Sequence, residues 1–222
     1  MITIRLVIIA SVLSVLHLIP AFGQHNEFGI KGGLNLANLS ETSADNQDYN
    51  PGLHGGLAVK VFLAGDMSLQ TEILYSRKGS IIDYEEEFLG VDIVNGETRF
   101  AFDYIDIPFY LLYEPVNNVN IHAGPYIGLL MDAKVDTDVE IVDILQLDPE
   151  EDIDTDYFYG TDYGLGIGAA YQYNKLRFGI NYLLGLRQLA KTEDVAESLI
   201  GDARNRTLQL YIGVMLWQTD NH

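Results

Sequence analysis

A chain of 222 residues with 48% hydrophobic content is long enough for one domain with a sizeable core and too apolar for a disordered tail. Its 13 Lys and Arg against 32 Asp and Glu leave a formal charge of -19, the opposite of the basic footprint that nucleic acid requires. The lack of any cysteine excludes disulfide frameworks, thiolate nucleophiles, thiolate zinc sites and the acylated cysteine of a lipoprotein.

The chain opens on Arg5, an apolar run from Leu6 to Ile19, and the small-x-small pattern Ala21-Phe22-Gly23. This reads as a signal peptide for Sec-type export over residues 1–23, with Gln24 first in the mature chain. No later apolar run reaches 18 residues, so no spanning helix is expected. The mature chain alternates apolar and polar residues in stretches of about ten or more, broken by turn signals. Strands are predicted near 27–38, 51–64, 67–79, 99–113, 119–133, 158–173, 175–189 and 205–217. Helical periodicity shows only from Glu193 to Leu199.

The connections alternate in length. Gly65-Asp66, the segment from Pro115 to Asn118, and Asn174 read as tight turns; 39–50, 80–98, 134–157 and 190–204 read as long loops. Short periplasmic turns and long extracellular loops characterise a transmembrane barrel, and an even strand count puts both termini in the periplasm. The expected fold is all-β: an eight-stranded antiparallel up-and-down transmembrane β-barrel over 24–217, with a short tail at 218–222. The four long connections hold 23 of the 32 acids and only Lys134, Lys191 and Arg204 as bases, which puts nearly all the net charge on the predicted outer rim. The densest stretch, with Asp148, Glu150, Glu151, Asp152, Asp154 and Asp156, offers hard oxygen ligands suited to weak Ca²⁺ or Mg²⁺ binding. It lacks the glycine-punctuated spacing of an EF-hand, and a solvated, self-repelling loop is the stronger reading. No other cofactor is implied.

Period-two alternation assigns the faces. In the strand near 175–189, Leu176, Phe178, Ile180, Tyr182, Leu184 and Leu186 lie opposite Arg177, Gly179, Asn181, Leu183, Gly185 and Arg187. The less apolar face is glycine-rich with sparse charges, as a narrow lumen filled by side chains would be. Buried charges must pair, so Lys31, Lys60, Arg177 and Arg187 are expected to meet Glu72, Asp106 and Asp162 inside the barrel. Tyr75, Phe109, Tyr113, Tyr171, Tyr173 and Trp217 are candidates for interfacial girdles. His54 and His122 fall on the lumen face as structural histidines, and no G-x-S-x-G or H-E-x-x-H pattern marks a hydrolase, so no catalysis is expected.

Specific segments carry a resemblance. Phe28-Gly29-Ile30-Lys31-Gly32-Gly33-Leu34-Asn35, Pro51-Gly52-Leu53-His54-Gly55-Gly56, Glu72-Ile73-Leu74-Tyr75-Ser76-Arg77-Lys78-Gly79, Tyr104-Ile105-Asp106-Ile107-Pro108, Gly124-Pro125-Tyr126-Ile127-Gly128 and Tyr163-Gly164-Leu165-Gly166-Ile167-Gly168 follow one another in order. Together, over about residues 26–217, they resemble the PorT-type outer-membrane β-barrel family, common in Bacteroidetes. The resemblance implies a barrel in the cell outer membrane and little about activity, although its namesake branch is linked to protein secretion. Such barrels usually end on an aromatic residue that the barrel-assembly machinery reads; here Trp217 follows the last lipid-facing residue, Leu216, and five further residues extend beyond it. The expected partners are outer-membrane lipid and lipopolysaccharide, the assembly machinery, and a protein partner at the acidic loops. The functional reading is a structural or interaction barrel. The alternatives are a soluble secreted lipocalin-like carrier with its apolar face inward, or a protein-secretion accessory barrel.

Overall fold

In a computed structural model the chain forms a closed antiparallel barrel. The structure describes residues 26–40, 47–88, 91–141, 145–147, 150–152, 158–189 and 202–218. The expected leader at 1–23, the helical periodicity at 193–199 and the tail beyond Gln218 lie outside them. The strands are β1 (Asn26–Ser40), β2 (Gln47–Ala64), β3 (Met67–Phe88), β4 (Val91–Val116), β5 (Val119–Ile141), β6 (Leu145–Leu147), β7 (Glu150–Asp152), β8 (Thr161–Tyr173), β9 (Leu176–Gly185) and β10 (Arg204–Gln218). The eight long ones pair in the order β4-β3-β2-β1-β10-β9-β8-β5, and β4 pairs β5 to close the ring. Short β6 and β7 only add to the far end of β5. Each barrel strand thus has ladder partners on both sides, which is the condition for crossing hydrocarbon without unsatisfied backbone groups.

At one end, the turn end, β2–β3, β4–β5 and β8–β9 are joined by two-residue turns. Each turn has one residue in the left-handed region: Gly65 (φ 58°), Asn118 (φ 68°) and Asn174 (φ 53°). Glycine has no Cβ to clash there, and asparagine tolerates the region through local hydrogen bonding of its side chain.

The other end departs from the sequence reading. The sequence predicts a loop over 80–98, yet β3 and β4 continue through it, with Ile82 opposite Thr98, Asp83 opposite Glu97 and Glu85 opposite Asn95. Likewise β5 runs on to Ile141 and β2 begins at Gln47. The physical reason is that charge excludes a strand only from lipid. Beyond the lipid, paired strands can carry carboxylates on both faces while Ile, Val and Thr still favour the extended backbone. In the opposite direction, β9 stops at Gly185 rather than 189.

The two faces of the wall separate cleanly. Large apolar side chains point outward on every barrel strand, among them Leu34, Leu53, Leu69, Leu111, Ile121, Ile167, Phe178 and Ile212, each exposed. Lys31, Glu72, Lys78, Asp106, Asp162 and Arg177 are buried inside. A carrier for an apolar ligand needs the reverse arrangement, so the lipocalin-like alternative is withdrawn: the apolar surface faces out and the polar one in. All six aromatics expected in girdles are exposed on the outer face. Tyr113, Tyr171, Tyr173 and Trp217 lie near the turn end. On β8, Tyr163 stands ten residues from Tyr173, which at roughly 3.3 Å per residue and a tilt of about 40° is about 25 Å along the barrel axis.

Candidate functional site

Side chains fill the lumen in layers, each set by the inward parity of its strand. Nearest the turns, Lys60 Nζ lies 2.8 Å from Glu114 Oε1 and 3.4 Å from Glu27 Oε1. Arg177 donates to Glu27 Oε2 at 2.6 Å, to Gln172 at 2.6 Å and to Gln70 at 3.0 Å. One layer further in, Lys31 Nζ meets Glu72 Oε2 at 2.8 Å and sits 3.9 Å from the centre of the Tyr211 ring. His122 lies within hydrogen-bond distance of Asn120 and Asn181 (3.0 and 2.8 Å), and His54 is buried on the same face. Higher still, Lys78 Nζ lies between Asp106 Oδ1 (2.9 Å) and Asp162 Oδ2 (3.6 Å). The rings of Tyr104 and Tyr126 flank that ammonium, each 4.8 Å away. Tyr126 Oη and Asn205 Nδ2 both donate to Asp162 Oδ2 at 3.0 Å.

Above this layer the chemistry changes. Leu39, Phe100, Phe102, Leu130, Ala133, Phe158, Leu189 and Ala203 join Tyr104 in a buried apolar cluster at the end away from the turns. Phe102 meets Phe158 edge-to-face, with ring centres 5.1 Å apart. The lumen therefore has an apolar cap at one end. At the turn end it has a polar recess of about 200 Å³ lined by Glu27, Lys60, Asp66, Ser68 and Glu114, among others. Between them glycines make room for rings: a Cβ on Gly166 or Gly179 would collide with Tyr110 or Tyr211 respectively. That is how an eight-stranded barrel accommodates large inward side chains.

The expected charge set comes together in part. Lys31 pairs with Glu72, while Lys60 and Arg177 find acids outside that set, Glu27 and Glu114. Asp106 and Asp162 share Lys78, which is likewise outside it. All three carry a usable signal. Lys78 shares parity with Glu72 and Gln70 on β3, Glu27 with Lys31 on β1, and Glu114 with Tyr110 on β4. Arg187 is the correction. It lies outside the wall: its guanidinium donates to Thr161 Oγ1 and rests over the rings of Tyr159 and Tyr163 at 4.1 and 5.9 Å. Tyr163 is 49% exposed on the outer face. Alternation fails at Arg187 because the strand that enforces it has already ended at Gly185.

Of the acidic residues considered for a cation, Asp148, Asp154 and Asp156 lie outside the described residues. Glu150, Glu151 and Asp152 form β7, which pairs with 134–136 of β5. Among the described residues no group of three or more His, Asp or Glu side chains is placed to hold a metal ion.

A closed antiparallel wall, apolar outside and ion-paired inside, defines a membrane-spanning β-barrel with an occupied lumen. The sequence narrows this further. Residues 22–191 match the family described as the outer membrane protein beta-barrel domain, and the chain belongs to that family of outer-membrane barrels. Similar solved structures include Ail, the attachment invasion locus protein of Yersinia pestis (13% identity, 85% of this chain and 97% of that one, TM-score 0.40). Neisserial surface protein A is similar at 14% identity, with the same coverage and a TM-score of 0.43. The outer membrane protein OprG from Pseudomonas aeruginosa is similar at 12% identity over 87% of this chain and 95% of that one (TM-score 0.30). No curated protein matches the sequence.

Proposed function

We propose that this protein is a non-conducting outer-membrane barrel with a structural or interaction role, exposing acidic connections outside the cell and short turns to the periplasm. The observation that carries the reading is the stacked ion pairs of the lumen beneath an apolar cap, because a pore needs a continuous aqueous path. Insertion of the folded chain into a planar bilayer tests it, with incorporation checked by recovery of folded barrel from the same vesicles. A flat current trace is expected; reproducible stepwise currents would reject the reading.

In this reading the exposed aromatics at the two heights anchor the wall at the headgroup levels, since the separation of about 25 Å suits the apolar band of such barrels. Sec-type export precedes insertion, with cleavage after Gly23, and N-terminal sequencing of the protein recovered from membranes should begin at Gln24. The assembly machinery then reads Trp217, which is exposed on the last strand. The acidic segment 148–156 is foremost a solvated, self-repelling loop, with weak Ca²⁺ or Mg²⁺ binding shared with lipopolysaccharide as the lesser reading. The absence of any Ca²⁺ heat at millimolar concentration, with no change on deleting 148–156, would remove that part alone. The PorT-type resemblance favours a second reading, an accessory to protein secretion. It predicts that deleting the gene depletes proteins from the culture supernatant while total membrane protein is unchanged.

A further inference from the structure

Near the end away from the turns, three arginines lie on the outer wall of this acidic molecule. Arg204 and Arg206 stand on the outward face of β10, opposite Ser40 and Asn38 of β1. Arg206 also pairs in register with Leu184 of β9. Leu189 N donates to Ala203 O, so the chain after β9, which carries Arg187, runs alongside the start of β10. Arg187 itself is held on the outer face by Thr161 and Tyr159. The neighbouring carboxylate on the approach to β10, Asp202, accepts from Gln188 at 2.6 Å. Arg206 Nε is buried and has no hydrogen-bond partner among the described residues. Elsewhere on the outer wall, Arg77 is met by both oxygens of Asp103, at 2.7 and 2.9 Å, which leaves Arg206 as the contrast.

The height of the patch selects its ligand. Below it the outward residues of β9 and β10 are uncharged from Leu176 to Leu186 and from Leu208 to Trp217. Leu186 is 47% exposed and Leu210 44%. The arginines begin where this apolar surface stops, level with Tyr163. A guanidinium at that boundary meets the headgroup layer rather than the aqueous phase, and its planar fork matches phosphate oxygens in pairs. Ser40 and Asn38 add hydroxyl and amide groups beside it.

Resting on the outer-membrane orientation proposed above, we infer that Arg187 and Arg206 form a binding site for the phosphate of an outer-leaflet glycolipid, the phosphorylated lipid A of lipopolysaccharide. The leucines beneath receive its acyl chains. In a molecule with a charge of -19, the site gives the surrounding anionic lipid a point of attraction on an otherwise repelling rim.

The test is native mass spectrometry of the full mature chain folded in detergent, titrated with bisphosphorylated lipid A, dephosphorylated lipid A or phosphatidylglycerol. The wild type should retain bisphosphorylated lipid A at least about tenfold better than R187A/R206A, as the loss of charge-assisted hydrogen bonds implies. R77A should retain it like the wild type. Equal retention by R187A/R206A, or indifference to removal of the phosphates, would overturn the site. Equal retention of phosphatidylglycerol would overturn the assignment to lipid A. A heat-dependent gel shift of each variant separates loss of the site from loss of the barrel, and a barrel that fails to fold even as wild type would count against the membrane reading instead. If R187A/R206A alone fails to fold, R206E, which keeps the Arg187–Tyr159 stack, carries the same expectation and the same refutation.

Discussion

Lys78 and Arg77 are consecutive in sequence and differ sharply in what they do. Lys78 is fully buried between two carboxylates; Arg77 is a half-exposed partner of Asp103 on the outer wall. Removing Lys78 strands Asp106 and Asp162 in a place that water does not reach, and leaving a buried charge without its partner costs about 3–5 kcal/mol. Lys78→Met should therefore lower the urea midpoint of the detergent-folded barrel strongly, and adding Asp106→Asn should recover a good part of the loss. If the single variant is as stable as the wild type, the ion pair is not a working part of the lumen. Arg77→Ala, by contrast, should change stability by less than about 1 kcal/mol, because exposed pairs gain little over their hydration. A larger loss would mean that Arg77 is more enclosed than its position indicates.

The same pair shows how far single residues can be read from sequence. The parity of β3 places Lys78 on the face of Glu72 as firmly as it places Tyr75 on the face of Arg77. Alternation is enough to put Lys31, Lys60, Glu72, Asp106, Asp162 and Arg177 on the inward side. It does not say which acid meets which base, since that depends on the register between strands far apart in the chain, as with Arg177 and Glu27. Arg187 is illegible for a different reason: beyond the last paired residue of β9, parity carries no information.

At the scale of elements, the turns are legible because Gly65, Asn118 and Asn174 are residues suited to a left-handed backbone. The far ends are not, because dense charge in a sequence resembles a loop. The paired extension of β3 and β4 beyond Ser80 and Phe100, where β4 also pairs β5, shows that acid-rich sequence remains strand. The lumen layers and the apolar cap described above are built from residues outside 82–97. Replacing residues 83–97 by a short turn should leave the barrel able to fold in detergent, with its thermal transition nearly unchanged. A chain that no longer folds after this replacement would assign the extension a part in closing β4 against β5.

At the scale of the whole molecule, three surfaces have three chemistries: an apolar outer belt, an ion-paired interior and connections rich in Asp and Glu. The distribution of the 32 acids follows from this division. Those inside each meet a Lys or Arg, Asp106 and Asp162 sharing Lys78, and most of the rest fall in the extended strand ends and the connections beyond them. In the proposed reading, the ion-paired and capped interior gives the molecule rigidity rather than a passage. The central claim is that the exposed leucines, isoleucines and aromatics of the wall are a lipid-facing surface around a closed ladder. Electrophoresis of the detergent-folded chain in SDS, with and without boiling, tests it most directly. A closed ladder leaves no open edge for SDS to unzip, so the unheated protein should migrate as a compact band that shifts on boiling. A single mobility under both conditions, from a chain that is soluble in plain buffer without detergent, would contradict the account.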